Sequence, residues 1–586
     1  MFVLKPSLRK IALNCTVLAG LAATPALAAD VTPDRLLNAT KEPANWLTHH
    51  GSYSAQRFST LSQINKDTVK GLKVAFTMAL GGIEPGGIWS HGGLEGTPLA
   101  MDGFLYATDG WGSVYKIDVA KGALAWKMDP KTDRDWAGAV ACCGVNNRGI
   151  ALSGDMVVSH TLDGRLIATN RETGEIAWQR QVADPDKGET VTGAPLVVKN
   201  LAITGVGGGE YGIRGWLAAT DLTTHKEVWR TYTIPAKGEP GSESWGGNTG
   251  AAANGGGPTW VTGSYDPATN MLVWGTGNPG PDWDSAHRPG DNLYTDSSLG
   301  IDLDTGKVKW HFQHTPNDPY DYDSTSENVL VDTQVNGRPS RLALHANRNG
   351  FGYAVDRASG EFVWGTPFVK RVTWTAGLNP ETGKPAEYDP ALPVQKYNAA
   401  ATPSRTNKIA DICPGNMGGK NWPPTAYNPT LQRWYIPVIE SCNRITVEET
   451  KVGGWKAREF YTGGGPSEHE RITGSITAID VTTGKVTGKV DTYYPQLGGL
   501  LATPDLVFAS QPSGQVMAYD AKSLEKLWEF NTGGGVNAPP MTFSVDGKQY
   551  VAILVGLGGA WDKWFIESTP ELKKTQTGSM LYVFAL

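Results

Sequence analysis

Along most of the chain, short runs of alternating apolar and polar residues are separated by turns rich in Asp and Gly. This period-two pattern predicts β-strands rather than helices. One hairpin unit recurs: an apolar strand ending in Asp, a short turn with Gly, then a second strand carrying Trp. It first reads Ile117-Asp118-Val119-Ala120-Lys121-Gly122-Ala123-Leu124-Ala125-Trp126. Copies follow at Asn170 to Gly174 to Trp178, Asp221 to Trp229, Asp302 to Gly306 to Trp310, and Asp356 to Gly360 to Trp364. Asp480 to Gly484 lacks the Trp, and Asp520 to Trp528 ends the series. Asp and Gly in a short turn between alternating apolar runs mark a hairpin. Most copies stand about fifty residues apart, the length of a four-stranded propeller blade.

An eighth blade can be assembled from the C-terminal strand Ser579–Phe584 and the early strand Leu72–Phe76. Joining both ends of the chain in one blade would leave no open edge. The expected fold is therefore all-β: residues 29–586 form one eight-bladed β-propeller with little helix. Two insertions interrupt the repeat. Val372–Lys408 is rich in Pro and Asn, and Glu448–Ile472 carries Gly463-Gly464-Gly465. Either one serves equally as a binding loop or as plain surface.

Lys5, Arg9 and Lys10, the apolar run Ile11–Leu21 and Ala26-Leu27-Ala28 form the pattern of a cleavable secretory signal peptide over residues 1–28. Its removal takes the formal charge from −6 to about −9, which argues against nucleic acid or an anionic membrane as a partner. No later segment is long and apolar enough to span a bilayer, so a periplasmic protein is expected. Four of the five cysteines remain in an oxidising compartment, where disulfides are permitted. Two of them, Cys142 and Cys143, are adjacent. A bond between neighbours closes almost no loop and stabilises almost nothing, so an oxidised pair would serve as a rigid platform.

Asp321 and Asp323, in Asp318-Pro319-Tyr320-Asp321-Tyr322-Asp323, fall on one face of an extended segment, with both tyrosines on the other. Two carboxylates so placed repel unless a cation lies between them or one keeps its proton; a solvated acidic turn is the plain alternative. Glu210 follows Gly207-Gly208-Gly209, whose glycines allow close backbone approach to a ligand. Asn278 lies in Gly277-Asn278-Pro279-Gly280-Pro281 and Trp260 in Pro258-Thr259-Trp260-Val261. Taken singly, the first two read as turn residues and the last as a core tryptophan.

Together, the Trp-ending blades, the adjacent cysteines and these loops resemble the pyrroloquinoline quinone (PQQ) dependent methanol and alcohol dehydrogenases over essentially the whole mature chain. The resemblance implies oxidation of an alcohol, with PQQ stacked between Trp260 and the Cys142-Cys143 ring. It implies PQQ contacts from Glu95, Arg148, Thr192, Gly208, Gly209, Arg348 and Asn421. Metal ligands would be Glu210, Asn278, Asp321 and Asp323. Asp323 stands where only the lanthanide-using branch has a ligand. Three carboxylates favour a trivalent ion by charge matching, with calcium second. Asp321 would take the hydroxyl proton while hydride passes to a metal-polarised quinone carbonyl, and Arg348 would stabilise the charge developing there. Cys413 and Cys442 would form a structural disulfide. No Cys-x-x-Cys-His haem motif is present, so a separate periplasmic cytochrome c is the expected electron acceptor.

The chain departs from this family at three places. Gly207 and Gly209 replace the usual Ser and Ala, Leu497 stands where Trp is usual, and one extra residue precedes Trp561 in Gly558-Gly559-Ala560-Trp561. A roomier pocket for a bulkier alcohol is the expected consequence. Two rival readings are a non-catalytic periplasmic propeller scaffold and a hydrolase built on Asp321. Neither has a use for the full set of Trp260, Glu210, Asn278 and the adjacent cysteines.

Overall fold

The structure is a computed structural model that describes residues 1–2, 30–247 and 249–586. The expected signal peptide, apart from its first two residues, lies outside the described residues.

Among the described residues, the strands form eight four-stranded antiparallel sheets and one three-stranded sheet. The second sheet holds Leu99–Met101, Phe104–Thr108, Val114–Asp118 and Ala123–Met128 in chain order. The third runs from Ile150–Ser153 to Ile176–Gln181, the fourth from Leu196–Val198 to Glu227–Tyr232, and the fifth from Ser264–Asp266 to Val308–Gln313. The sixth runs from Val329–Val335 to Phe362–Pro367, the seventh from Ala426–Asn428 to Lys485–Thr492, and the eighth from Leu500–Ala502 to Lys526–Asn531. The first sheet pairs Lys73–Ala79 with Met580–Ala585 and adds Lys548–Val555 and Met541–Val545. The two ends of the chain thus meet in one sheet. Among the described residues, helix is confined to short pieces such as Pro33–Leu37 and Arg134–Val140.

The recurring hairpin residues explain how neighbouring sheets lock together. Each motif Asp or Asn accepts backbone N–H bonds inside its own turn. Asp221 Oδ1 takes those of Thr223 and Thr224, Asp356 Oδ1 those of Ala358 and Ser359, and Asp520 Oδ1 those of Lys522 and Ser523. The glycine four residues on turns with positive φ and receives the preceding sheet's tryptophan. A Cβ on Gly174 would lie 2.8 Å from the Trp126 ring, and Gly306, Gly360 and Gly484 stand in the same relation to Trp229, Trp310 and Trp364. Where that glycine is absent, His225 adopts φ 59° and Trp178 stacks on its ring at 4.5 Å. Trp528 of the eighth sheet donates to the Leu72 carbonyl and meets Phe584 of the first.

Tyr53–Ser59 is a strap that bonds to several sheets. Tyr53 and Ser54 carbonyls accept from Tyr265 and Leu330, Gln56 from Tyr427, and Ser59 N–H donates to Ala502. Arg57, fully buried, reaches carbonyls of Leu500, His49 and Pro540. Of the two insertions, Val372–Lys408 packs inward: Trp374 and Tyr397 join Tyr320 and Tyr322 in a buried aromatic cluster. The second contributes the strand Gly464–Ser467, which pairs with Asn443–Val447; that central strand pairs on its other side with Ile409–Ile412 in the three-stranded sheet. A disulfide links Cys413 to Cys442 at the end of that sheet.

Candidate functional site

One cavity of about 600 Å³ gathers most of the residues singled out above. Its lining includes Glu95, Cys142, Cys143, Arg148, Thr192, Gly208, Glu210, Trp260, Asp321, Arg348, Asn421 and Leu497. Gly209, Asn278 and Asp323 lie behind the wall rather than on it. The second insertion lines this cavity through Phe460, Thr462 and Gly464–Ser467, whereas the first does not.

Cys142 and Cys143 form a disulfide, with Cys142 buried and Cys143 exposed. Their loop is held by the Ala560 N–H, which donates to the Cys143 carbonyl at 2.8 Å. The close passage needs glycine: a Cβ on Gly144 would lie 2.4 Å from the Gly559 Cα. Glu210 Oε1 is 4.0 Å from the Cys143 sulfur. Bonded to each other, the two sulfurs are not thiolates and do not ligate a metal. Glu210 is the middle residue of the short turn Gly209–Tyr211, whose preceding Gly208 has φ 116°, and a Cβ there would strike the Gly188 carbonyl at 2.2 Å. Tyr461 N–H donates to the Glu210 carbonyl and Trp455 Nε1 to that of Tyr211, so the second insertion clamps this turn.

At one end of the cavity, Arg148 pairs with Glu95 at 2.8 Å, both buried, and donates to Thr192 Oγ1 at 2.8 Å. Its guanidinium sits 4.6 Å from the Trp260 ring centre and 4.8 Å from that of Trp422. Asn537 Nδ2 donates to the second face of the pair, at Glu95 Oε1. Arg148, paired with Glu95 and bonded to Thr192, thus lies between two flat indoles.

At the other end lie the acids. Tyr320 and Tyr322 point into the aromatic core and stack at 4.9 Å, while Asp321 and Asp323 face Arg348, as the alternation predicted. The segment is not a regular strand, however, because Asp321 takes φ 66°. Two backbone N–H groups, of Tyr320 and Tyr322, bend it around the Asp318 carboxylate. Arg348 Nη2 donates to Asp323 Oδ2 at 2.8 Å, and Nη1 to the Asp321 carbonyl at 3.0 Å and its Oδ1 at 3.3 Å. Asp323 also accepts from Trp260 Nε1 at 3.2 Å and from the Asn278 backbone N–H at 2.9 Å. The expected stacking residue and the expected second acid are therefore directly bonded.

Three acids that sequence reasoning passed over complete the cluster. Asp282, Asp296 and Asp318 are each 0% exposed. Glu210, Asp282, Asp296, Asp318, Asp321 and Asp323 act on one another, opposed chiefly by Arg288 and Arg348. Burial, with the Asp323 charge next, pushes Glu210 up to about 7. Burial likewise raises Asp321 well above the usual carboxylate range; Arg348 opposes this, and Asp282, Asp323 and Glu210 add to it. Asp318 rises to about 6 for the same first reason. A carboxyl so raised is a competent base near neutral pH once a nearby cation draws its proton off.

The donor set fits a hard cation. Asn278 Oδ1 is 1% exposed and lacks a hydrogen-bond donor, and it lies against the Gly209 backbone beside Glu210. Oxygen ligands with several carboxylates suit calcium or a lanthanide, and a buried oxygen without a donor is free to serve as one ligand. Trp422, Asn537 and Asp282 had no signal of their own: each acts only by meeting residues remote in sequence.

Comparison with known proteins identifies the family. A family model described as PQQ: glucose/ethanol/alcohol dehydrogenase, β-propeller domain, matches residues 46–382. Quinoprotein alcohol dehydrogenase PedH of Pseudomonas putida is 35% identical over 95% of this chain and 94% of its own. The lanthanide-dependent methanol dehydrogenase of Methylacidiphilum fumariolicum is 33% identical over 99% of each. Among solved structures, a europium-containing methanol dehydrogenase aligns with a TM-score of 0.85 at 32% identity, over 94% of this chain and 100% of that one.

Proposed function

The chain belongs to the PQQ-dependent alcohol dehydrogenase family, and from that premise we propose how its site carries out alcohol oxidation. It is a quinoprotein oxidoreductase with a β-propeller domain. The observation that carries the site assignment is the single cavity that brings the disulfide ring, Trp260, the Arg148–Glu95 pair and the Arg348–Asp321 pair together. When bound, PQQ with its metal supplies the electron sink for the hydrogen leaving the alcohol carbon.

The chain's own residues supply the rest. Arg148 and Thr192 take the carboxylate end of the planar group, and Trp260 and the disulfide flank its faces. Asp321 Oδ1 receives the hydroxyl proton. Arg348 holds that carboxyl in place and offers its guanidinium to developing negative charge. Glu210, Asn278, Asp321 and Asp323 hold the metal. A lanthanide is favoured over calcium because Glu210, Asp321 and Asp323 put three carboxylates in the ligand set, a charge that a trivalent ion neutralises better.

The wall beyond the acids is apolar, formed by Met417, Leu497, Trp561 and Phe565, and supports a bulky alcohol as substrate. The tryptophan docking from sheet to sheet, returning from Trp528 to the first sheet, supports one closed ring of eight blades over residues 29–586. The N-terminal pattern supports export to the periplasm, and no described helix is long and apolar enough to cross a membrane. Electrons then pass to a separate cytochrome c.

Reconstitution tests the whole. Protein given PQQ with a lanthanide should show a quinone absorption band and alcohol-dependent dye reduction across a panel of alcohols. Absence of both with either metal would remove the assignment.

A further inference from the structure

Asp282 is a buried carboxyl without a well-formed hydrogen bond, with the Asn278 side chain as the donor beside it. Its exposure is 0%, and neither Oδ1 nor Oδ2 has a hydrogen-bond partner. The backbone that carries it is nonetheless fixed from both sides. Arg288 donates to the carbonyls of Pro281 at 2.9 Å and Asp282 at 2.8 Å, and Trp283 N–H donates to Thr462 at 2.9 Å. The side chain borders the same cavity as Glu210 and Asp321.

Buried polar oxygens without partners are rare and costly; Asp296 shares the condition, but of the two acids Asp282 is the one that borders the cavity. Asn278 Oδ1 is a further unpartnered oxygen, and the amide of the same side chain is directed at Asp282. The neighbouring guanidiniums are committed elsewhere. Arg288 spends its donors on carbonyls and on Asn292 Oδ1, and Arg348 spends its own on Asp321, Asp323 and the Asn416 carbonyl. Glu210 and Asp323 are the negative charges that bear on Asp282 most strongly. Placing another carboxylate among them without a well-formed hydrogen bond makes sense where a multivalent cation sits.

We propose that Asp282 is a fifth protein ligand of the bound metal ion, meeting it beside Asn278 Oδ1 and Glu210. This rests on the metal-dependent function proposed above and extends it. Four carboxylates then surround the ion, which shifts the site's preference further toward a trivalent lanthanide than Asp323 does alone.

Europium(III) luminescence on the full PQQ-loaded protein tests this without reference to turnover. Lifetimes in H2O and D2O count the waters on the ion, and titration measures its affinity. Asp282→Asn and Asp282→Ala should each weaken europium binding about tenfold or more. The alanine variant should also admit about one additional bound water. Melting temperatures of the unloaded variants, close to that of the parent, show that both fold, and Asp282→Asn keeps the shape if the alanine variant does not. Asp323→Ala is measured alongside. If it weakens binding while both Asp282 variants bind within about twofold of the parent and keep its water count, Asp282 is not a ligand, though the metal reading stands. If the parent binds no europium, that reading fails and Asp282 with it.

Discussion

Arg348 donates to Asp323 at 2.8 Å while reaching the carbonyl and carboxylate of Asp321 with its other terminal nitrogen. One planar guanidinium thus sets the spacing of the proposed base and the second acid. A lysine keeps the charge but offers no rigid fork. Arg348→Lys should lower kcat by about a hundredfold with a small change in KM, as expected when a group acts mainly on the transition state. Steady-state dye reduction on the preferred alcohol measures it. An equal loss carried wholly by KM would assign Arg348 to binding alone.

Asp323 is 2% exposed and bonded to Arg348, Trp260 and the Asn278 backbone, so its removal has two effects. Asp323→Ala leaves Arg348 with Asp321 as its remaining acidic partner, and unfolding stability should fall by about 1–3 kcal/mol in urea titrations. Lanthanide-supported activity should be lost, with calcium-supported activity falling less. Undiminished lanthanide activity would remove the reason for preferring that ion.

The two disulfides should separate stability from function. Cys413–Cys442 spans 29 residues, and loop closure of that size contributes about 3–4 kcal/mol. Cys142–Cys143 has a separation of 1 and closes no loop worth the name. Replacing Cys413 and Cys442 by alanine should lower the unfolding midpoint markedly. Replacing Cys142 and Cys143 should leave stability within about 1 kcal/mol but weaken PQQ retention, read by equilibrium dialysis. A large stability loss in the second variant would make the ring structural.

Burial pushes His160 down to about 4 from an ordinary 6.5. Its ring nitrogens lie 2.9 Å from the Gly193 carbonyl and 3.0 Å from Thr204 Oγ1, so the neutral ring is fully used. Between those pH values the unfolded chain binds a proton that the folded one refuses. Stability therefore falls as pH drops from about 6.5 toward 4, by up to about 1.4 kcal/mol per pH unit for this group. His160→Gln should be less stable at pH 7 yet show a shallower loss on acidification. Denaturant titrations at pH 7, 5.5 and 4.5 check the difference in slope.

What the sequence made legible was local. The hairpin Asp, Gly and Trp carry their signal within about ten residues, so the strand plan could be anticipated; the joining of the chain ends, expected for Leu72–Phe76 and Ser579–Phe584, followed from the need to cover both edge strands and is seen for Lys73–Ala79 and Met580–Ala585. The alternation in Tyr320–Asp323 sorted tyrosines from acids, although the φ of 66° at Asp321 did not show. Asp282 and Asp296 were missed because each sits in a polar, turn-like stretch whose burial depends on distant segments; Asp282 is covered only when Arg288 and the Thr462 carbonyl pin its loop. Trp422 was likewise invisible until Arg148 was seen lying over its ring. The insertion Val372–Lys408 looked as fit for binding as its partner, but its Trp374 and Tyr397 are spent on the aromatic core.

Leu497 is 4% exposed and borders the cavity among Met417, Trp561 and Phe565. An indole at this position would take up part of the cavity of about 600 Å³ that Leu497 borders, where the proposed substrate's chain would lie. Leu497→Trp should therefore discriminate by size. For a long or ring-bearing primary alcohol kcat/KM should fall at least about tenfold, the cost of roughly 1.4 kcal/mol of lost or strained contact. For ethanol it should change by less than about threefold, since the reacting carbon is positioned by Asp321 and Arg348 rather than by this wall. A parallel loss for large and small alcohols would mean that Leu497 supports the acids or the cofactor slot. A loss confined to large ones would place it in the substrate's path and make it a determinant of chain length.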